Sequence, residues 1–165
     1  MFRRIDDFTT AWEQESETTL KLLRACTDAA LAQRVTPGGR TLGRLAWHVT
    51  QTLPEMLGHA KLPVRGPSED APIPPLAAIV EAYAAASVAL GEAVKASWTD
   101  AMLGESIPMY GEQWMRGDVL AALIRHQAHH RGQMTVLMRQ AGLQVPGVYG
   151  PAAEEWAQMG MPAQP

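Results

Sequence analysis

The chain has 165 residues, 47% hydrophobic and 19% charged, with a net charge of -3 at pH 7. That length suits one hydrophobic core and a single domain over residues 1–165, and the composition argues against a disordered chain or a membrane protein. The acidic balance gives no overall basic surface for a phosphate backbone, and a lone cysteine, Cys26, excludes an internal disulfide.

The opening MFRRIDDFTT offers no apolar run for a signal peptide or membrane span. These features predict a cytoplasmic protein that folds alone or as a small oligomer such as a homodimer, with no nucleic-acid or membrane partner.

Four segments carry helical periodicity, separated by breaks rich in Pro and Gly. The first is expected from Ile5 to Leu31, with Ile5, Phe8, Trp12, Leu23, Cys26 and Ala30 on one stripe. Ser16 and Thr19 fall on the same line, so two hydroxyls are expected to turn inward. TPGGR ends the segment.

Thr41 is the expected N-cap of a second helix reaching Ala60, with Leu42, Leu45, Val49, Leu53 and Met56 aligned. Pro54 lies inside it and predicts a kink or a fresh helix start. Five prolines between Pro63 and Pro75 predict an extended surface connection. Pro75 suits the first turn of a third helix, which places Leu76, Ile79, Tyr83, Ala86, Leu90 and Ala93 on one stripe before Trp98.

Residues 98–117 show no sustained period and read as a long loop with a short extended piece around Ile107 to Tyr110. Loops of this length are more often functional than short ones. Asp118 complements the positive end of the fourth helix, and Gly142 stops that helix after Ala141. The tail reads as turns with one short terminal helix. Four amphipathic segments without a convincing strand predict an all-α four-helix bundle with long connections and an irregular C-terminal tail.

The fourth helix carries most of the chemistry. Its core line runs through Leu120, Leu123, Gln127, His130, Met134, Leu137 and Ala141. His126 lies about 40 degrees to one side of His130 and roughly 6 Å along the axis, so both rings can converge on one ion. The bland alternative is a hydrogen-bonded core histidine. His129 points about 60 degrees further from the stripe, at a supporting or surface position. Gln133 returns beside the pair, where it can hydrogen-bond a ligand imidazole or a bound water.

Two histidines leave such a site incomplete, and a third ligand is expected from another helix. His48, Glu55 and His59 of the second segment are the candidates. Periodicity does not choose among them, because His48 lies off the apolar stripe on a polar flank with Thr52 and Glu55.

Taken together, HQAHHRGQM (His126 to Met134), TLGRLAWHV upstream and VPGVYGP downstream resemble the DinB-like, YfiT-like metalloproteins, in the expected order over nearly the whole chain. The resemblance implies a four-helix bundle binding a divalent ion, zinc or nickel, through one histidine of the second helix and two of the fourth. Carried onto this sequence, those ligands are His48, His126 and His130. The family name records induction by DNA damage and does not imply DNA binding. The resemblance also implies a small-molecule substrate, with thiol S-transfer using a low-molecular-weight thiol, isomerisation or hydrolysis as the reactions of relatives.

Three neutral imidazoles leave the ion positively charged with a coordination position open, which favours the anionic form of a thiol or water bound there. A pocket mouth is expected from the 99–115 loop and the hydroxyls of Ser16 and Thr19, with Trp114 as a lid residue and the other tryptophans as packing. Arg131 points away from His126 on the wheel, which predicts a helix-surface or subunit-contact role. Cys26 reads as a small core residue. The competing functions are a non-enzymatic metal-binding or stress-response bundle and a metal-free interaction module.

Overall fold

A computed structural model describes residues 1–162. Four helices form the bundle: α1 (Ile5–Arg24), α2 (Leu42–His59), α3 (Leu76–Ser97) and α4 (Arg116–Gln140). A two-stranded antiparallel hairpin, β1 (Ser106–Met109) and β2 (Glu112–Met115), precedes α4. The chief neighbours of α1 and of α2 are α3 and α4, so α1 sits diagonally from α2 and α3 from α4. Long crossovers at 25–41 and 98–115 make that order feasible, and the all-α bundle stands with one small hairpin added.

The first helix is shorter than its periodicity predicts. The chain leaves the helical path after Arg24, and Thr27 caps a short 3-10 turn at Asp28–Ala32 by accepting from the Ala30 N–H. Cys26 and Ala30 remain buried all the same, and burial pushes the Cys26 thiol up to about 11. The start of α1 is tied to a distant element: Asp100 Oδ1 accepts from the Ile5 N–H at 2.8 Å, satisfying a free helix-end donor.

Thr41 caps α2 by accepting from the Arg44 N–H at 3.0 Å. The helix then continues through Pro54, so of the kink or fresh start expected there the fresh start does not occur. Buried Leu53, Met56 and Leu57 hold its second half against the bundle, an instance of tertiary packing overriding a local breaker. The 63–75 connection folds back over α2, where Gln51 Nε2 donates to the carbonyls of Ser68 and Glu69 at 2.7 and 2.8 Å and Trp47 Nε1 donates to that of Ala71 at 2.9 Å.

By length and composition α3 is apolar enough to cross a membrane, with a mean hydropathy of 1.4. It carries Glu81, Glu92 and Lys95, however, and buries Ile79, Tyr83, Ala86, Leu90 and Val94 against its neighbours.

The α4 stripe is buried from Leu120 through Leu137, including Gln127 and His130. Gln127 is fully enclosed, and its amide bridges two other helices: Nε2 donates to the Val49 carbonyl of α2 at 2.9 Å, and Oε1 accepts from the Tyr83 hydroxyl of α3 at 3.1 Å. Buried groups of this kind are destabilising when left unpaired, so the three positions depend on one another.

Arg131 corrects the wheel reading. It is 1% exposed, covered by α1 and the C-terminal tail. Its guanidinium donates to the Glu15 carboxylate and carbonyl, the Thr19 hydroxyl and the Tyr149 hydroxyl. A helical wheel places Arg131 off the core line but cannot show that α1 supplies three acceptors there. Of the two hydroxyls expected inward, Thr19 is buried in this cluster, whereas Ser16 stays near the surface.

Replacing Arg131 with Ala removes the cation paired with Glu15, leaving that half-buried carboxylate only the Tyr149 hydroxyl, and is expected to destabilise the protein by about 3–5 kcal/mol in urea unfolding. Gln127→Leu, which orphans the Val49 carbonyl and Tyr83 hydroxyl, is expected to cost about 1–3 kcal/mol. A loss below 1 kcal/mol for Arg131→Ala would contradict the buried-pair assignment.

Candidate metal centre

His48 on α2 and His126 and His130 on α4 meet where these two helices pack. The His48 ring centroid lies 5.1 Å from that of His126 and 4.6 Å from that of His130. One ring nitrogen from each of the three falls within 4.8 Å of the others. The residues following His48 and His126 are Val49 and Gln127, so the Gln127 bridge lies beside the cluster and sets the register that brings the histidines together.

The protonation pattern suits a cation. Gln133 Oε1 accepts from His130 Nδ1 at 2.8 Å while its Nε2 donates to His129 at 3.1 Å, which leaves the His130 Nε2 lone pair free. That nitrogen faces His126 Nε2 at 3.1 Å. Two imidazoles sharing a tetrahedral ion at about 2.0–2.1 Å have nitrogens roughly 3.3 Å apart, so the observed spacing fits a common ion. Among the described residues the His126 Nδ1 is buried without a partner. Burial first, and then neighbouring histidines and Arg40, push His126 down to about 4. His48 is likewise lowered to about 4 by burial, His130, His126, Arg40 and Arg44. Burial lowers His130 as well.

His48 and His126 also line an open cleft of about 540 Å³ with Arg40, Arg44, Gln51 and Glu55. Tyr110 and Trp114 of the hairpin form another wall, so residues of the 99–115 segment line the cleft. Thr19 and Ser16 do not contribute: Thr19 is engaged with Arg131, and Ser16 lines a separate groove between α1 and α3. Trp12, Trp47 and Trp98 are core packing. On the other side of the histidines, His129, His130 and Gln133 border a second hollow with Val35, Leu45 and Val136.

Glu55 and His59, the other ligand candidates, fall with Glu69 into a separate, more exposed group. Glu55 pairs with His59 at 3.2 Å and accepts from the Tyr110 hydroxyl at 2.8 Å. Tyr110 reaches it from a left-handed backbone at φ 49°, followed by Gly111 at φ 85°, the two positive φ values of a tight hairpin turn.

The sequence reading missed the hairpin because its turn is Tyr-Gly rather than Asn-Gly and β1 contains Pro108, a residue that argues against a strand. It also missed Arg44 and Gln51. Their signal is the polar face of α2, where Arg44, His48, Gln51, Thr52 and Glu55 follow at helical spacing.

The family model described as "DinB family" matches residues 1–164. The uncharacterized protein YrdA of Bacillus subtilis (strain 168) is 48% identical over 164 residues, covering 99% of this chain and 98% of that protein. The crystal structure of a DinB-like protein from Bacillus cereus ATCC 10987 superposes with a TM-score of 0.87 at 43% identity, over 90% of this chain and 100% of the other. A more distant DinB-like protein, YjoA of Bacillus subtilis, shares the fold at a TM-score of 0.67 and 12% identity, over 86% and 97% of the two chains.

The histidine shifts make a pH prediction for chelated, metal-free protein. The unfolded chain takes up protons near pH 6.5, but folded His48 and His126 do so only near pH 4. Stability from these groups is therefore complete above about pH 6.5 and falls as pH drops toward 4. Urea midpoints measured from pH 8 to pH 4 should decline through that window, and less so in His126→Asn. Equal declines in both proteins would contradict the assignment.

Proposed function

The chain belongs to the DinB family, and from that membership we propose a divalent-metal-dependent enzyme in which His48, His126 and His130 hold one ion, zinc or nickel. The proposed reaction activates a thiol or water toward a small-molecule substrate, as in thiol S-transferases or hydrolases. The observation that carries this reading is the convergence of three ring nitrogens within 4.8 Å of one another beside an open cleft.

A divalent ion, when bound, supplies positive charge that stabilises the deprotonated form of a thiol or water. The protein's own residues do the rest. Gln133 keeps the His130 Nδ1 proton and fixes the ring, so that Nε2 faces His126. Burial keeps all three imidazoles in the neutral, ligating form. Tyr110 and Trp114 wall the cleft on the hairpin side.

The competing reading is an ion that only braces α2 against α4. Those helices are already joined through the Gln127 amide and a shared apolar core, and three ligands leave a coordination position free. Both facts favour a reactive ion over a brace.

Protein made in metal-supplemented medium is expected to carry about one divalent ion per chain. Loss of a contact that merely supports a ligand costs about 10–100-fold in affinity, so His48→Ala or His126→Ala should lose more than roughly 100-fold. Glu55→Gln and His59→Ala should stay close to wild type. Metal-free protein, or full affinity in His48→Ala, would contradict the proposal. In cobalt-loaded protein an added thiol should change the visible spectrum; an unchanged spectrum would reject the thiol reaction and leave hydrolysis.

A further inference from the structure

Arg40 and Arg44 stand where local rules place acids. They flank the N-terminus of α2, the positive end of its dipole, and the first turn of that helix holds no acidic residue. Among the described residues neither guanidinium has an ion-pair partner within 4.0 Å or a side-chain hydrogen bond. Both line the cleft that contains His48 and His126. Both also help to disfavour protonation of His48.

Glu55 and Glu69 also line the cleft, but neither lies within 4.0 Å of an Arg40 or Arg44 nitrogen. Arg44 to Glu55 is eleven residues of helix, roughly 16 Å of rise, and Glu55 is already engaged by Tyr110 and His59. A divalent ion beside the arginines would add to the positive charge at that end of the cleft. Two arginines without a direct partner beside a candidate cation site break the local rule, and such breaks mark functional positions.

A second observation comes from Gln51, which lines the same cleft and is 2% exposed. Its Nε2 is held by carbonyls of the 63–75 connection, and its Oε1 is buried without a partner. An acceptor without a partner therefore lies enclosed in the wall of the same cleft.

We propose that Arg40 and Arg44 form an oxyanion-binding subsite beside the histidine cluster, and that the substrate or thiol taken by this cleft carries a carboxylate or phosphate group. This rests on the metal-dependent reading for the identity of the reacting end but not for the anion subsite. Each guanidinium supplies the forked donors that such groups accept.

The test titrates the metal-loaded protein and its Arg40→Gln/Arg44→Gln variant with four probes: mercaptosuccinate, 2-mercaptoethanol, succinate and inorganic phosphate. Metal content and thermal unfolding confirm that the variant is intact, and Arg40→Gln alone, at an exposed position, provides a second variant. Wild type should bind mercaptosuccinate at least about tenfold more tightly than 2-mercaptoethanol, the effect of one charge-assisted hydrogen bond. The double variant should lose that preference while binding 2-mercaptoethanol as before. Repeating succinate and phosphate with chelated protein separates the two proposals: arginine-dependent anion binding without metal supports the subsite even if the metal reading fails. The stronger of those two anions indicates whether the natural group is carboxylate or phosphate. A preference for mercaptosuccinate that survives in the double variant, or no preference in wild type, would overturn the proposal.

Discussion

The Gln127 amide is the constraint on which the site depends. It lies in the middle of the α4 core stripe, and its two ends are used up by the Val49 carbonyl of α2 and the Tyr83 hydroxyl of α3. Hydrophobic packing alone is tolerant of small slips between helices, whereas a buried amide has one arrangement that satisfies both its donor and its acceptor. A slip of one residue on either helix rotates the neighbouring histidine by about 100 degrees and breaks the cluster. The polar group in the core thus fixes the geometry of the polar group at its edge.

Electrostatics then separates the cluster from its surroundings. Burial and mutual proximity hold His48, His126 and His130 neutral, which is the state that ligates, and Gln133 selects the tautomer of His130. The cleft beside them is uneven: arginines with no ion-pair partner among the described residues stand at the start of α2, and a carboxylate already in use stands two turns beyond His48. A pocket with that arrangement is suited to a ligand of defined polarity in a defined direction.

Much of this was readable from residue spacing. The α4 stripe, the Thr41 cap and the Gly142 stop are local signals, and all three hold in the structure, with Gly142 at φ 75°. The inward position of His130 followed from the same stripe. Spacing did not choose His48 over Glu55 and His59, because all three lie on the polar face of α2 and only the packing of that face against α4 separates them. The errors share a cause. The first helix was read too long because Cys26 and Ala30 keep the helical period after the backbone has left the helix. Arg131 was read as exposed because its acceptors come from α1 and Tyr149, more than a hundred residues upstream and eighteen downstream. Those contacts are long-range, and one-dimensional periodicity carries no information about them.

X-ray absorption at the metal edge of loaded protein tests the central claim most directly. Three imidazole nitrogens at about 2 Å, with a further light-atom scatterer that a thiol replaces by sulfur or that exchanges as water, is the predicted result. A shell closed by four protein side chains, or one lacking multiple imidazole scattering, would contradict the account.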